Sequence, residues 1–417
     1  MDFNENPEEA SFRAEVRAWL EAHVPEPEPG GRLAGGLSDA FSEAEAAHVK
    51  RSKDWQRTLY DHGWAGITWP VEFGGRGGTP MEASIFSEEE SRAGAPGGVF
   101  AVGIGMAGPT LINHGTEEQK KRFLDPMLRG EEVWCQLFSE PGAGSDLAGL
   151  ATRAERDGDE FVVNGQKVWT SGAHYSDWGI LLARTNPDAP KHRGITYFVV
   201  DMRSPGVEVR PLRQITGAAH FNEVFLTDVR IPADQMIGEI DDGWRVTMTT
   251  LMNERSLIGG GGGGGDTFGD LLATARRFGR NEDLIVRQQL ATAYTHLRIM
   301  TLLGYRARTA LSQGLPPGPE VSVMKLAHSE NSARYANMAI AIEQSWGMLA
   351  GVDGDHADDV AHWHQSFLGH WAGRIGGGTD QVQRNIIGER VLGLPGDIRV
   401  DKELPFREVA RSASGSR

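Results

Sequence analysis

The spacing of apolar residues changes twice along this chain, and those two changes restrict its fold more than any single motif does. Up to about Glu131 apolar residues fall at helical steps, as in Phe12, Val16, Trp19 and Leu20. From there to about Asp242 they alternate, as in Phe161 and Val163, and beyond Asp242 the three- and four-residue steps return and persist to about Leu392. A period near 3.6 buries one stripe of a helix and a period of 2 buries one face of a strand, so neither segment can be refolded as the other. The predicted class is α+β in several domains: an N-terminal α-helical domain over 1–130, a central antiparallel β domain over 131–240, a C-terminal helical bundle over 241–400 and a tail over 401–417.

Within the first part the pattern predicts helices near 8–24, 42–62, 80–93, 98–114 and 116–129, the last opened by Thr116 with Gln119 three residues on, as in a capping box. Residues 63–78 carry too many Gly, Pro and Trp for an element and read as loop. In the second part a strand, an Asp157-Gly158-Asp159 turn and a second strand broken at Gly165 fill 151–171. Further strands are expected at 178–184, 195–201, 207–212 and 223–229, which suggests a small barrel or sandwich. The third part holds long helices over 284–313 and 318–351, and the end from Arg411 is expected to be disordered.

The formal charge of −15 over 417 residues argues against a nucleic-acid binder, which needs basic surface to neutralise phosphates. An anionic ligand would need local help. The single cysteine, Cys135, excludes an intramolecular disulfide and fits a reducing compartment. No stretch reaches the roughly 20 apolar residues of a membrane span, and the acidic start Met1–Glu9 lacks the features of a signal peptide, so a cytoplasmic location is expected.

Three blocks carry candidate chemistry. Phe138-Ser139-Glu140-Pro141-Gly142-Ala143-Gly144-Ser145-Asp146 reads as a strand end opening into a turn whose N–H groups and hydroxyls suit an anion. Asn164-Gly165-Gln166-Lys167-Val168-Trp169-Thr170-Ser171-Gly172 puts an aromatic and two hydroxyls at the end of a neighbouring strand. Gly376-Gly377-Gly378-Thr379-Asp380-Gln381-Val382-Gln383-Arg384-Asn385 is a glycine turn entering a helix with Thr379 at the cap. A fourth feature is Asn253-Glu254-Arg255, near the end of a helix and followed by seven glycines, Gly259–Gly265. The histidines His362, His364 and His370 are read as decorating a helix rather than holding a metal.

In order and spacing these blocks resemble the acyl-CoA dehydrogenase family over about 8–395. The resemblance implies FAD, held between the small sheet domain and the C-terminal helices. Phe138, Ser139, Trp169 and Ser171 would then line the isoalloxazine, Ser145 would meet the pyrophosphate, and Thr379 and Gln381 would also touch FAD. Arg276 or Arg277 would reach an FAD bound largely by a neighbouring subunit, which implies a dimer or tetramer. The family reaction takes a proton from the carbon α to the thioester of an acyl-CoA while the β hydrogen leaves as hydride to flavin N5, and electrons pass on to an electron-transfer flavoprotein.

In many members the base directly precedes the Gly-Thr of the third block, and here that position is Gly377. The isovaleryl-CoA and long-chain branches place it in a Glu-Arg pair on the helix opening the C-terminal domain, which Glu254-Arg255 matches. By the same resemblance Arg255, Gly259 and Gly260 would line the acyl pocket, and the glycine run would widen it for a branched or polycyclic acyl group; the other reading of that run is a loop outside the pocket. Two departures touch the adenine half of FAD: Arg276-Arg277-Phe278-Gly279 lacks the usual threonine, and Gly347 stands where a glutamine is common. Similar actinobacterial enzymes of steroid side-chain breakdown are built from two different chains, so a heteromer is an open alternative, as are an oxidase or flavin monooxygenase of the same fold and a structural subunit.

Overall fold

The structure, a computed structural model, describes residues 5–26, 43–259, 267–313, 318, 321–349, 357–396, 398 and 401–409, with the backbone alone at 43–44, 255–259, 311–312 and 357–359. In chain order the helices are α1 (Pro7–His23), α2 (Glu43–Asp61), α3 (Pro80–Ala93), α4 (Gly108–His114) and α5 (Glu117–Leu128). The strands follow as β1 (Trp134–Leu137), β2 (Arg153–Asp157), β3 (Glu160–Ser171), β4 (Trp178–Arg184), β5 (Ile195–Asp201), β6 (Val207–Leu212), β7 (Phe221–Pro232) and β8 (Met236–Ile237). Helices α6 (Gly243–Gly259), α7 (Thr267–Arg277), α8 (Leu284–Ser312), α9 (Val321–Glu343), α10 (Ala357–Ile375) and α11 (Asp380–Ile386) complete it. The order helices, sheet, helices is the expected one. No described helix is long and apolar enough to cross a membrane.

The chain divides into two compact units. One combines Met1–Leu37, Thr79–Ala95 and Arg255–Gly396. Its first helix starts at a full capping box, Asn6 with Glu9 and Pro7 in the first turn, and buries Phe12, Val16 and Leu20. On α3 the buried Glu89 receives Arg13 at 2.8 Å and Arg17 at 2.9 Å, both from α1. Around α9, which is buried on most sides, Leu271, Ala275, Leu290, Met338, Ile342 and Trp363 form the core, and the Trp363 indole donates to Thr274 Oγ1 at 2.8 Å. The histidines of α10 have local partners: His364 Nε2 lies 2.8 Å from the Gly347 carbonyl and His370 Nδ1 2.7 Å from that of Phe367.

The other unit combines Ser38–Gly78, Pro96–Glu254 and Asp397–Arg417. Its eight strands run in the order β6-β7-β3-β2-β4-β5-β8, with β1 added on β4. The turn at Asp157-Gly158-Asp159 lies where expected, Gly158 taking φ +66°, but Gly165 does not break β3. The strand instead absorbs two register shifts, at Val163/Gly165 and Lys167/Thr170, because an extra residue in one strand of a ladder is accommodated by a bulge. The ladder runs from β6 to β8 without closing, unlike a barrel, and it contains two parallel pairings, β1–β4 and β2–β4. The parallel site explains why Ile180, Leu181, Leu182 and Ala183 run apolar without alternation: β4 is central and covered on both faces.

Two further features bear on the site. The helix expected over 98–114 is interrupted by a five-residue π-helical turn at Gly103–Ala107, with Gly108 against the ring of Trp69. At the other end of the chain, residues 401–409 pack on the loop before β5. Phe406 is buried beneath the Arg184 guanidinium at 3.7 Å, and Lys191 bridges Asp146 at 2.9 Å and Asp401 at 2.7 Å. Residues 410–417, and with them the disorder expected from Arg411, lie outside the described residues.

Candidate active site

The first two sequence blocks meet through a buried charge pair. After β1 the chain makes a tight turn in which the Glu140 and Ala143 backbones exchange hydrogen bonds, each of 3.0 Å. The Glu140 carboxylate accepts from the Ala151 amide at 2.7 Å, the Thr152 amide at 2.9 Å and Lys167 Nζ at 2.8 Å. Lys167 also donates to the Phe138 carbonyl at 3.1 Å, and the Val168 amide donates to the Ser139 carbonyl at 2.9 Å. These bonds set Phe138-Ser139 beside Val168-Trp169. Burial pushes the Glu140 carboxyl up, but Lys167 and the surrounding donors outweigh it and hold the group below the usual carboxylate range.

Directly after Lys167 the bulge turns Trp169 into the left-handed region at φ +62°, a conformation that a non-glycine residue keeps only when its surroundings over-determine it. The Trp169 ring is 60% exposed and meets Phe221 edge-on at 5.9 Å. Ser171 and Ser145 are exposed and Ser139 is half-buried. Open space surrounds Gly142 and Gly144 in the intervening turn. A flat apolar ring flanked by hydroxyls, with an open turn of N–H donors nearby, suits a planar heteroaromatic ligand that carries an anionic arm.

Glu254 lies on α6, half-buried, with Gln136 Nε2 of β1 donating to its Oε2 at 3.4 Å. Gln136 stands two residues before Phe138, so the carboxylate and the turn are linked through one strand. One turn earlier on α6, Thr250 Oγ1 lies 2.8 Å from Thr110 Oγ1 and 3.1 Å from the Tyr197 hydroxyl, and the Tyr197 ring is edge-on to Phe138 at 5.9 Å. On the neighbouring position Thr249 Oγ1 lies 2.8 Å from His114 Nε2, while Arg245 donates to His114 Nδ1 at 3.2 Å. Burial, with Arg245 adding to it, pushes the His114 imidazole down, and because Arg245 can only donate to Nδ1, the ring proton facing Thr249 sits on Nε2.

The third block belongs to the helical unit. Thr379 caps α11, accepting from the Val382 amide at 3.1 Å, and Gln381 is exposed. This helix N-terminus holds a carboxylate of its own: Asp380 is buried and accepts from Ser329 Oγ at 2.6 Å and Arg374 Nε at 2.7 Å. Gly377 takes φ +63° and Gly378 φ +83°, with a Cβ at Gly378 meeting Gln383 Nε2 at 2.7 Å. Arg276 and Arg277 are exposed at the end of α7. At Gly347 a Cβ would lie 2.7 Å from the Ile340 carbonyl, so the glutamine common at that position does not fit this backbone. The Arg255 side chain and Gly260–Gly265 lie outside the described residues, and Gly259 is described only as the last residue of α6.

Sequence reading missed Gln136, Tyr197 and Thr250, and named Lys167 within the second block without giving it a role. A polar residue inside the apolar run Trp134-Cys135-Gln136-Leu137 was the available signal for the first.

Family models of the acyl-CoA dehydrogenase N-terminal, middle and C-terminal domains match residues 6–131, 135–229 and 241–392. The acyl-CoA dehydrogenase IpdE1 of Mycobacterium tuberculosis is 41% identical over 388 residues, covering 92% of this chain and 97% of the relative. The long-chain specific acyl-CoA dehydrogenase of Sus scrofa mitochondria is 38% identical over 266 residues, 60% of this chain and 62% of its own. Among solved structures, the Tcur3481-Tcur3483 steroid ACAD is similar with a TM-score of 0.80 and 32% identity, over 95% of this chain and 100% of the other. The ChsE4-ChsE5 complex from Mycobacterium tuberculosis gives a TM-score of 0.78 and 29% identity, over 95% and 100%. With all three domain models matched in order, the chain belongs to the acyl-CoA dehydrogenase family.

Proposed function

We propose that this acyl-CoA dehydrogenase introduces an α,β double bond into an acyl-CoA, with Glu254 as the base that takes the α proton. The observation that carries the assignment is the half-buried Glu254 carboxylate tied by Gln136 to the strand leading into Phe138-Ser139, while the family's other base position is a glycine, Gly377. A base must stand within reach of the proton it removes, and the Thr110–Thr250–Tyr197 hydrogen bonds one turn earlier support the reading by fixing the part of α6 that carries Glu254.

The donor set of the sheet unit fits FAD: Trp169 offers a face for the isoalloxazine, Ser139 and Ser171 its polar partners, and Ser145 with the open glycine turn a seat for the pyrophosphate. When bound, FAD supplies the acceptor for the hydride that leaves the β carbon. Thr379, Gln381 and the Arg276-Arg277 pair complete FAD binding, the arginines across a subunit interface, so the working form is a dimer or a pair of dimers; the named ChsE4-ChsE5 complex supports a mixed partnership as the alternative. Similarity to a steroid ACAD supports a bulky, polycyclic acyl group as substrate. Electrons then pass to an electron-transfer flavoprotein.

The test is single-turnover reduction of the purified holoenzyme by acyl-CoA. Glu254→Gln should keep the bound flavin and slow its reduction by at least about a hundredfold. Near-full reduction by that variant would remove Glu254 as the base.

A further inference from the structure

Beside the seat proposed for the pyrophosphate stands a carboxylate of the same sign. Asp146 follows Ser145 directly, its side chain is 61% exposed, and it opens the short helical turn Leu147–Gly149. An aspartate in that position ordinarily accepts from the amides of the turn it opens. Asp146 makes no such capping bond. Its two oxygens lie 3.1 Å and 2.9 Å from Lys191 Nζ instead, and Gly149 leaves room for this, since a Cβ there would sit 3.2 Å from Asp146 Oδ2.

Lys191 is itself fixed from behind. Its ammonium also donates to Asp401 at 2.7 Å, and its carbonyl accepts from Arg184 Nη1 at 3.0 Å. The same buried guanidinium donates to the carbonyls of Ala148 at 2.6 Å and Leu150 at 3.2 Å, so one arginine ties the loop bearing Lys191 to the far end of the Asp146 turn. The Lys191 side chain is only 11% exposed, so the cation approaches the open Asp146 carboxylate from the protein interior.

We propose that Lys191 is a positioning residue for flavin binding: it draws the Asp146 carboxylate off the Ser145 turn and cancels its charge, leaving the N–H groups and hydroxyl of that turn to an anionic group. The inference rests on the reading of the Ser145 turn as the pyrophosphate seat. The chain as a whole carries a formal charge of −15, so an anion approaching it is repelled unless the carboxylates beside its seat are neutralised. Lys191 does this for the one that adjoins Ser145.

The experiment is FAD affinity of the full chain, read by flavin fluorescence at low and at high salt. Lys191→Met should weaken binding about tenfold at low salt, the scale of one uncompensated carboxylate acting on a charged group near a protein surface. The deficit should shrink to about twofold near 1 M salt, where charges are screened over roughly 3 Å. Asp146→Asn added to Lys191→Met should return the affinity to that of the wild type, because the stranded charge is then gone. Asp401→Asn removes the other ion pair of the same ammonium but leaves Asp146 covered, and it should bind FAD as the wild type does. A Lys191→Met protein with wild-type affinity at low salt overturns the proposal, as does a deficit that persists at high salt or in the double variant. An equal deficit in Asp401→Asn overturns it too. Should Lys191→Met fail to fold, Lys191→Gln, which keeps a donor without the charge, decides the question by the same readout. Ser145→Asp separates the two levels: if a carboxylate set on the seat itself leaves FAD affinity unchanged, the seat reading falls. If it weakens binding while the Lys191 variants do not, only the positioning role falls.

Discussion

Lys167 of β3 places its ammonium 2.8 Å from the Glu140 carboxylate and 3.1 Å from the Phe138 carbonyl, so one buried cation joins the two sequence blocks that form the proposed flavin face. A buried charge left without its partner typically costs about 3–5 kcal/mol, and here the abandoned group would be a carboxylate that is 8% exposed. Lys167→Met should therefore lower the unfolding free energy by that amount in urea titrations. Glu140→Gln added to it should restore part of the loss, because the stranded charge is then gone. Equal stability of the single and double variants would mean that the carboxylate is solvated when Lys167 is absent.

Gly377 stands at the family's alternative base position with φ +63°. A side chain in that region costs roughly 1–2 kcal/mol, so Gly377→Glu is expected to destabilise the helical unit slightly even before its new carboxylate is placed. In a Glu254→Gln background it should restore no more than a small fraction of flavin reduction. Full recovery would show that the turn rearranges readily.

Acid should loosen the packing of α1 on α3. The Glu89 carboxyl is held down to about 2 from 4.5, chiefly by its hydrogen bond to Arg17 and against the opposing effect of burial, with Arg13 adding to the pull. A carboxyl lowered in the folded state contributes stability that is complete above its unfolded value and is lost as pH falls through the folded one. The urea midpoint of the wild-type protein should thus fall between pH 4.5 and about 2, and Glu89→Gln should flatten that part of the curve. Parallel curves would assign the acid loss elsewhere.

Phe406 anchors the chain end on the sheet unit, buried under Arg184. Phe406→Ala should cost about 3–5 kcal/mol if the site cannot collapse, read as a drop in the thermal midpoint of the sheet unit. The Lys191–Asp401 contact should be lost with it, so a Lys191→Met change should cost less in that background than in wild type.

The order of helices, sheet and helices, the capping box at Thr116, the turn at Gly158 and the three sequence blocks are all legible in the sequence, because each depends on chemistry within a few neighbouring residues. Local signals of that kind survive in a linear string. The parallel seat of β1 on β4 was not legible, nor was the Gln136–Glu254 contact across 118 residues or the bridge that Lys191 makes between Asp146 and Asp401. Those depend on which distant backbones come to lie side by side, and the sequence period says only that a face is buried, never against what. Trp169 joins the two levels: its motif marked the position, but only the bulge forced by pairing β3 with β7 turns the ring outward. Residue types thus determined which groups this protein has for chemistry, and the long-range pairing of strands and helices decided which of them meet.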